Sequence, residues 1–233
     1  MLQGAATPRR IGGKTVEERR SERWRRLVDA AVKVYGERGY RNSTVKVVCD
    51  VAGLTERYFY ESFSNSEDLL CACFQEAVDR LLSRVRRAGL QSGGAPMERV
   101  RAGVLEYLAH LQVEPAAARV FLIEMSSVSA RADALVSASL DRFAALLVDF
   151  LANGPGPHVD PPRLLLRGAI GGGLHVAQAW TTSGYAEPVG SVADTILQIY
   201  GLVAGHIAGG DPQALTRTAA PPRLRKRVAA PAE

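Results

Sequence analysis

Residues 44–63, TVKVVCDVAGLTERYFYESF, limit the possible folds more than any other stretch of the chain. Val45, Val48, Cys49 and Ala52 recur at the spacing of one helix face. Thr44 stands just before that face, where its hydroxyl can accept from an unpaired first-turn N–H. The Ala52-Gly53 pair breaks the pattern, because glycine takes a positive φ and lets two helix axes approach closely. Leu54 returns to the core and Thr55 offers a second N-cap. Residues 56–61 then form a short helix with Phe59 inward and Arg57, Tyr58 and Tyr60 outward. Two helices meeting across so tight a turn make a helix-turn-helix.

The rest of the chain repeats at helical spacing. A first helix is expected from near Ser21, with Leu27, Ala30, Ala31, Val34 and Tyr35 inward and a stop at Glu37-Arg38-Gly39. Asn65 and Asp68 are placed as a capping box for one long helix over 67–88. Further helices are expected over 97–112, 114–127, 130–153, 163–182 and 189–208, with a firm break at 154–162. No useful β-alternation occurs, so the fold class is all-α. The expected division is a flexible basic arm (1–20), a helix-turn-helix domain (21–66, motif 44–63), a helical body (67–209) and a disordered basic tail (210–233).

Charge supports that division. The net charge is +5, yet residues 1–26 carry eight Lys/Arg against three Asp/Glu, and 211–233 carry five against two. The intervening chain is therefore slightly acidic, and the two basic ends suit contact with a polyanion. Arg9, Arg10 and Lys14 can track a DNA groove, or belong to an ordinary solvated terminus. No secretory leader and no run of 18 apolar residues is present, so no membrane partner and a cytoplasmic location are expected. Cys71 and Cys73 lie two apart in a helix and point in different directions, and Cys49 faces inward, so all three read as packing.

Residues 26–70, which include GERGYRNSTVKVVCDVAGLTERYFYESFSNSEDLL, resemble the DNA-binding domain of the tetracycline-repressor (TetR) family without a gap. The resemblance implies a DNA-binding transcriptional regulator, a repressor released from a palindromic double-stranded operator by a small-molecule effector. The alternatives are the same fold acting as an activator or without an effector, and a helical small-molecule enzyme carrying this domain. Ser43, Thr44 and Lys46 are expected on phosphates, and Thr55, Glu56, Arg57, Tyr58 and Tyr60 in or beside the major groove. Arg57 suits guanine, and Glu56 either accepts from cytosine N4 or serves the helix N-terminus. Arg23 and Arg26 are further candidates for the DNA backbone, and Ser66 replaces the family's frequent phosphate-binding lysine.

An effector pocket is expected among the middle helices, from Tyr107, Phe121, Glu124, Met125, Phe143, His175, Gln178 and Trp180, with His110 nearby. Gly168, Gly171, Gly172 and Gly173, with the stripe Val192, Ile196, Ile199, Val203 and Ile207, suggest close helix packing in a homodimer. No cofactor, metal ligands or catalytic residues are expected, because no motif for them occurs.

Overall fold

The computed structural model describes residues 15–152 and 160–209, and every regular element among them is helical. The expected contacts of Arg9, Arg10 and Lys14, and the basic tail, lie outside the described residues. Helix α1 spans Val16–Arg38, so it begins five residues before Ser21. The cause is a capping box not recognised in the sequence. Thr15 Oγ1 accepts from Glu18 N at 3.1 Å, and Glu18 Oε2 accepts from Thr15 N at 2.6 Å. Arg19 and Arg20 therefore stand on a helix rather than in an arm.

A 3₁₀ turn at Tyr40–Asn42 leads to α2 (Val45–Ala52) and α3 (Glu56–Tyr60), the two helices of the motif. Helix α4 (Ser66–Gln91) is the long element, about 39 Å from end to end at the ordinary rise per residue. Its cap differs slightly from a full capping box. Asn65 Oδ1 accepts from Asp68 N at 2.8 Å, but Asp68 Oδ2 accepts from Ser64 N at 3.2 Å rather than from Asn65.

Helices α7 (Ala130–Ala152), α8 (Arg163–Thr182) and α9 (Val189–Ile207), together with α4, pack around α5 (Pro96–Val113) to form the body. The helix expected over 114–127 is not continuous. Helix α6 ends at Arg119 after starting at Pro115, and Val120–Glu124 widens into a π turn, a form often found at functional positions. The core runs unbroken from Leu27 and Phe59 to Ile196 and Val203.

The glycines of α8 divide by face. A Cβ on Gly173 would lie 2.5 Å from the Tyr200 hydroxyl, and one on Gly172 would meet Ile199 at 3.5 Å. On Gly168 and Gly171 it would meet nothing within 4 Å, as on Gly201 and Gly205 of α9. The α9 stripe also differs from expectation. Val192, Ile196, Val203 and Ile207 are buried within the protomer, so they serve its own core rather than an outward seam. Leu164 and Leu202 are the exposed apolar side chains of these two helices, at 82 % and 50 %.

Candidate functional site

The motif is held from beneath by aromatic packing. Phe59 is fully buried, 5.8 Å from Phe63 between ring centroids, and Phe63 lies 6.1 Å from Trp24 of α1. Gly53 closes α2 in the left-handed region at φ 62°, so its N–H caps the helix. A distant side chain completes that end. The Arg26 guanidinium donates to Ala52 O at 2.6 Å and to Gly53 O at 3.1 Å, giving partners to carbonyls the helix leaves unpaired. Arg26 is thus turned into the protein rather than toward a DNA backbone. Arg23 is also engaged, with its guanidinium 4.7 Å from the Tyr58 ring centroid and 3.6 Å from Glu61.

With that frame fixed, one face carries the polar side chains. Thr44 Oγ1 accepts from Val47 N at 3.3 Å as N-cap, which leaves its proton for an outside acceptor. Lys46 is exposed and pairs loosely with Asp50 at 3.1 Å, a surface contact easily exchanged for a phosphate. Thr55 occupies the N-cap position of α3 without a side-chain cap bond, and Glu56 follows it, exposed. Arg57 is 85 % exposed in its side chain. Glu61 takes only its Nε, at 3.2 Å, so the terminal nitrogens project outward as a fork. Tyr58 and Tyr60 are exposed at 37 % and 60 %. Ser43 departs from expectation: its hydroxyl donates to Gly39 O at 2.8 Å and its N–H to Tyr40 O at 3.1 Å. Both of its donors serve the turn, so Ser43 leaves the set.

The motif is tied to the body at one joint. Glu124, buried at 9 % side-chain exposure, accepts from Tyr40 N at 2.7 Å and from Arg119 Nε at 2.7 Å. Arg41 donates to Ser127 O at 2.9 Å, Ser129 to Glu67 at 2.6 Å, and Arg131 pairs with Asp68. Arg131 holds the Asp68 carboxyl below the usual carboxylate range. Gly36 lets α1 lie directly on Ala116, where a Cβ would come within 2.4 Å.

Residues of α4, α5, α7, α8 and α9 line an apolar cavity of about 60 Å³. Phe150 closes one end, its ring against Gly89 and Gly103, which leave room for it. Tyr107, Phe143 and Tyr200 form the other end. The Tyr107 hydroxyl is sealed from solvent without a hydrogen-bond partner. Burial pushes both phenols up, and the nearby Tyr200 adds to the shift of Tyr107.

Only Tyr107 and Phe143 of the eight expected pocket residues line this space. Phe121 lies one layer out, its ring 6.5 Å from Tyr107 and 6.1 Å from Phe143. Glu124 serves the joint, and Met125 is core at 2 % exposure. Trp180 is structural: its indole donates to Glu187 O at 2.8 Å and its ring meets Tyr185 edge-on. His175 is exposed and Gln178 half-buried on α8, away from the cavity lining. His110 borders a separate polar cleft with Asp29, Glu76, Arg80 and Glu114. Phe150, Tyr200 and the Gly89–Gly103 pair stand outside the expected set, although a glycine inside each of two amphipathic helices is a readable sign of a bulky neighbour. Among the described residues no group of three or more His, Cys, Asp or Glu is placed to hold a metal ion, and no helix is long and apolar enough to cross a membrane.

Comparison with known proteins agrees with this layout. Residues 27–73 match the family described as bacterial regulatory proteins, tetR family. The HTH-type transcriptional activator FasR of Mycolicibacterium smegmatis is 25 % identical over 161 residues, covering 69 % of this chain and 73 % of that protein. The fatty acid metabolism regulator protein of Bacillus subtilis is 33 % identical over 63 residues, 27 % of this chain and 32 % of that protein. In fold, the chain resembles the transcriptional regulator FadR from Bacillus subtilis in complex with stearoyl-CoA. The TM-score is 0.66 at 21 % identity, over 76 % of this chain and 97 % of that one. With the motif, the body and these likenesses together, residues 27–73 match the DNA-binding part of the tetR family of bacterial regulatory proteins, and the chain as a whole is similar to DNA-binding transcriptional regulators.

Proposed function

We propose that this protein is a cytoplasmic, homodimeric repressor, without enzymatic activity, that leaves a palindromic operator when a long-chain acyl-CoA enters the apolar cavity. The observation that carries this reading is the cavity itself, apolar but for two tyrosine hydroxyls and linked through Phe121 and the π turn to Glu124 and the motif. A hydrocarbon chain suits such a lining. The relative named for fatty acid metabolism, and the structural likeness to a stearoyl-CoA complex, favour that ligand class. The cavity is smaller than a long acyl chain, so binding has to spread the helices around it. That requirement gives the ligand unequal affinity for two states, which release from DNA demands.

In this reading Thr44 and Lys46 bind phosphates, with Tyr60 beside them. Thr55, Glu56, Arg57 and Tyr58 meet the major groove, and the Arg57 fork reads guanine. The second copy covers the glycine face of α8 and α9 together with exposed Leu164 and Leu202. Two motifs then address half-sites about 34–36 Å apart. Titration of DNA upstream of the protein's own coding sequence, with and without stearoyl-CoA, tests the proposal. Release by stearoyl-CoA supports repression through an acyl-CoA. Binding strengthened by stearoyl-CoA favours the activator reading, which the name of FasR also favours.

A further inference from the structure

Of the two hydroxyls lining the cavity, that of Tyr107 is sealed from solvent without a partner, a state that a plain hydrocarbon leaves unanswered. It is a buried donor with no partner, and a phenylalanine there would keep the ring while avoiding the cost of a stranded hydroxyl. Because burial pushes its phenol up, it stays protonated and offers a proton to an acceptor. Water is held at most weakly, since a buried water typically makes about three hydrogen bonds and the lining side chains supply two hydroxyls, Tyr107 and Tyr200.

The position of the hydroxyl narrows the choice of acceptor. Toward Phe150 the lining side chains Val85, Val100, Val104 and Leu147 are buried, whereas Tyr107, Phe143 and Tyr200 are half-buried. From Val100 to Tyr107 the cavity wall rises by about 10 Å along α5. A chain lying there with its hydrocarbon at the closed end would present its polar head at Tyr107.

We infer that Tyr107 is a specificity residue that donates a hydrogen bond to the thioester carbonyl oxygen of the acyl ligand, so that the cavity distinguishes an acyl thioester from an alkyl chain of equal length. The inference rests on the acyl-CoA reading above.

The experiment uses full-length wild type and Tyr107→Phe, with calorimetric titration of three ligands. These are stearoyl-CoA, its S-octadecyl thioether analogue lacking only the carbonyl oxygen, and 12-hydroxystearoyl-CoA. Wild type should prefer the thioester over the thioether by on the order of 2- to 10-fold. Tyr107→Phe should lose that preference by weakening stearoyl-CoA alone, while its ligand-free melting temperature stays level or rises. A lowered ligand-free melting temperature would mean that the hydroxyl already has a partner in the protein, and would overturn the assignment. So would equal wild-type affinity for thioester and thioether. If both nonetheless bind and release operator, the acyl-CoA reading stands without this contact. A preference for the 12-hydroxy chain that Tyr107→Phe removes, with no thioester preference, would move the oxygen into the chain and overturn the carbonyl. Failure of all three ligands to bind wild type would remove the acyl-CoA reading and this inference with it.

Discussion

The motif and the cavity arrange polar and apolar groups in opposite senses. In the motif, rings lie beneath and charge lies on top: Phe59 and Phe63 are buried, while Lys46, Glu56 and Arg57 face outward. In the cavity, rings and branched chains form the wall, and the Tyr107 hydroxyl is sealed from solvent. The first arrangement suits a hydrated polyanion, whose binding is mostly exchange of ions at a surface. The second suits a ligand that must shed its water before it enters. One molecule thus carries a charged outer surface and an apolar interior, joined where Glu124, Arg41, Ser129 and Arg131 bond across to the other part.

Removing the support under the motif should break that contrast most severely. Phe59→Ala is expected to cost about 3–5 kcal/mol of stability, because a fully buried ring leaves a void in packed surroundings. Phe150→Ala should cost less, since its ring already borders open space, and saturating stearoyl-CoA should restore part of the loss. Denaturant unfolding of both variants, with and without ligand, checks the ordering; equal costs would mean that the cavity is as tightly packed as the motif.

At the outer surface the expected effects are smaller. Arg57→Ala should weaken operator binding by about 1–3 kcal/mol and relax preference at one base pair in each half-site. Tyr60→Phe should weaken all sequences alike, because a phosphate carries no base identity. A base-substituted operator series decides between these roles.

The joint should show itself in response rather than in affinity. Glu124→Gln keeps an oxygen for Tyr40 N–H but gives up the ion pair with Arg119. Operator affinity without ligand should change little, while the ligand-induced weakening should fall by about 0.5–2 kcal/mol. Operator titrations across a ligand series measure it. An unchanged response would place the link elsewhere, with the Arg41–Ser127 bond as the next choice.

The smallest effect concerns pH. Burial lowers the proton affinity of His110, with Glu114 opposing and Arg84 and Arg80 assisting. The unfolded chain therefore takes up this proton near its ordinary value of about 6.5, before the folded chain does. Stability from this site is complete above that pH and declines as the pH falls below it. Urea midpoints from pH 5 to 8 should slope less steeply in His110→Gln than in wild type.

These differences also explain what could be read from the sequence. The motif depends on neighbours within a few positions, so a capping threonine, a left-handed glycine and an inward Phe59 announce it. The cavity depends on which helix faces meet across long separations. Periodicity groups Tyr107 with its own face, yet says nothing of Tyr200 across from it. His175 and Gln178 were drawn into the expected pocket because α8 is apolar on several sides, and its inward side is chosen by contact with α9. Glu124 serves the joint for the same reason, since its partner Tyr40 stands 84 residues earlier. The early start of α1 is different: the Thr15–Glu18 cap is a local signal, standing in the sequence beside basic neighbours that suggest an arm.

The Arg26 guanidinium on the carbonyls of Ala52 and Gly53 bears on how this motif can be transplanted. A chimera that grafts residues 44–63 onto another regulator carries the recognition face but leaves behind the side chain that holds its turn. Gly53 adds to the dependence, since a Cβ there would stand 3.0 Å from that guanidinium. The smallest exchangeable cassette therefore includes α1 as well as the motif. A recipient with a short or acidic residue at the Arg26 position should accept the sequence and misplace its reading head.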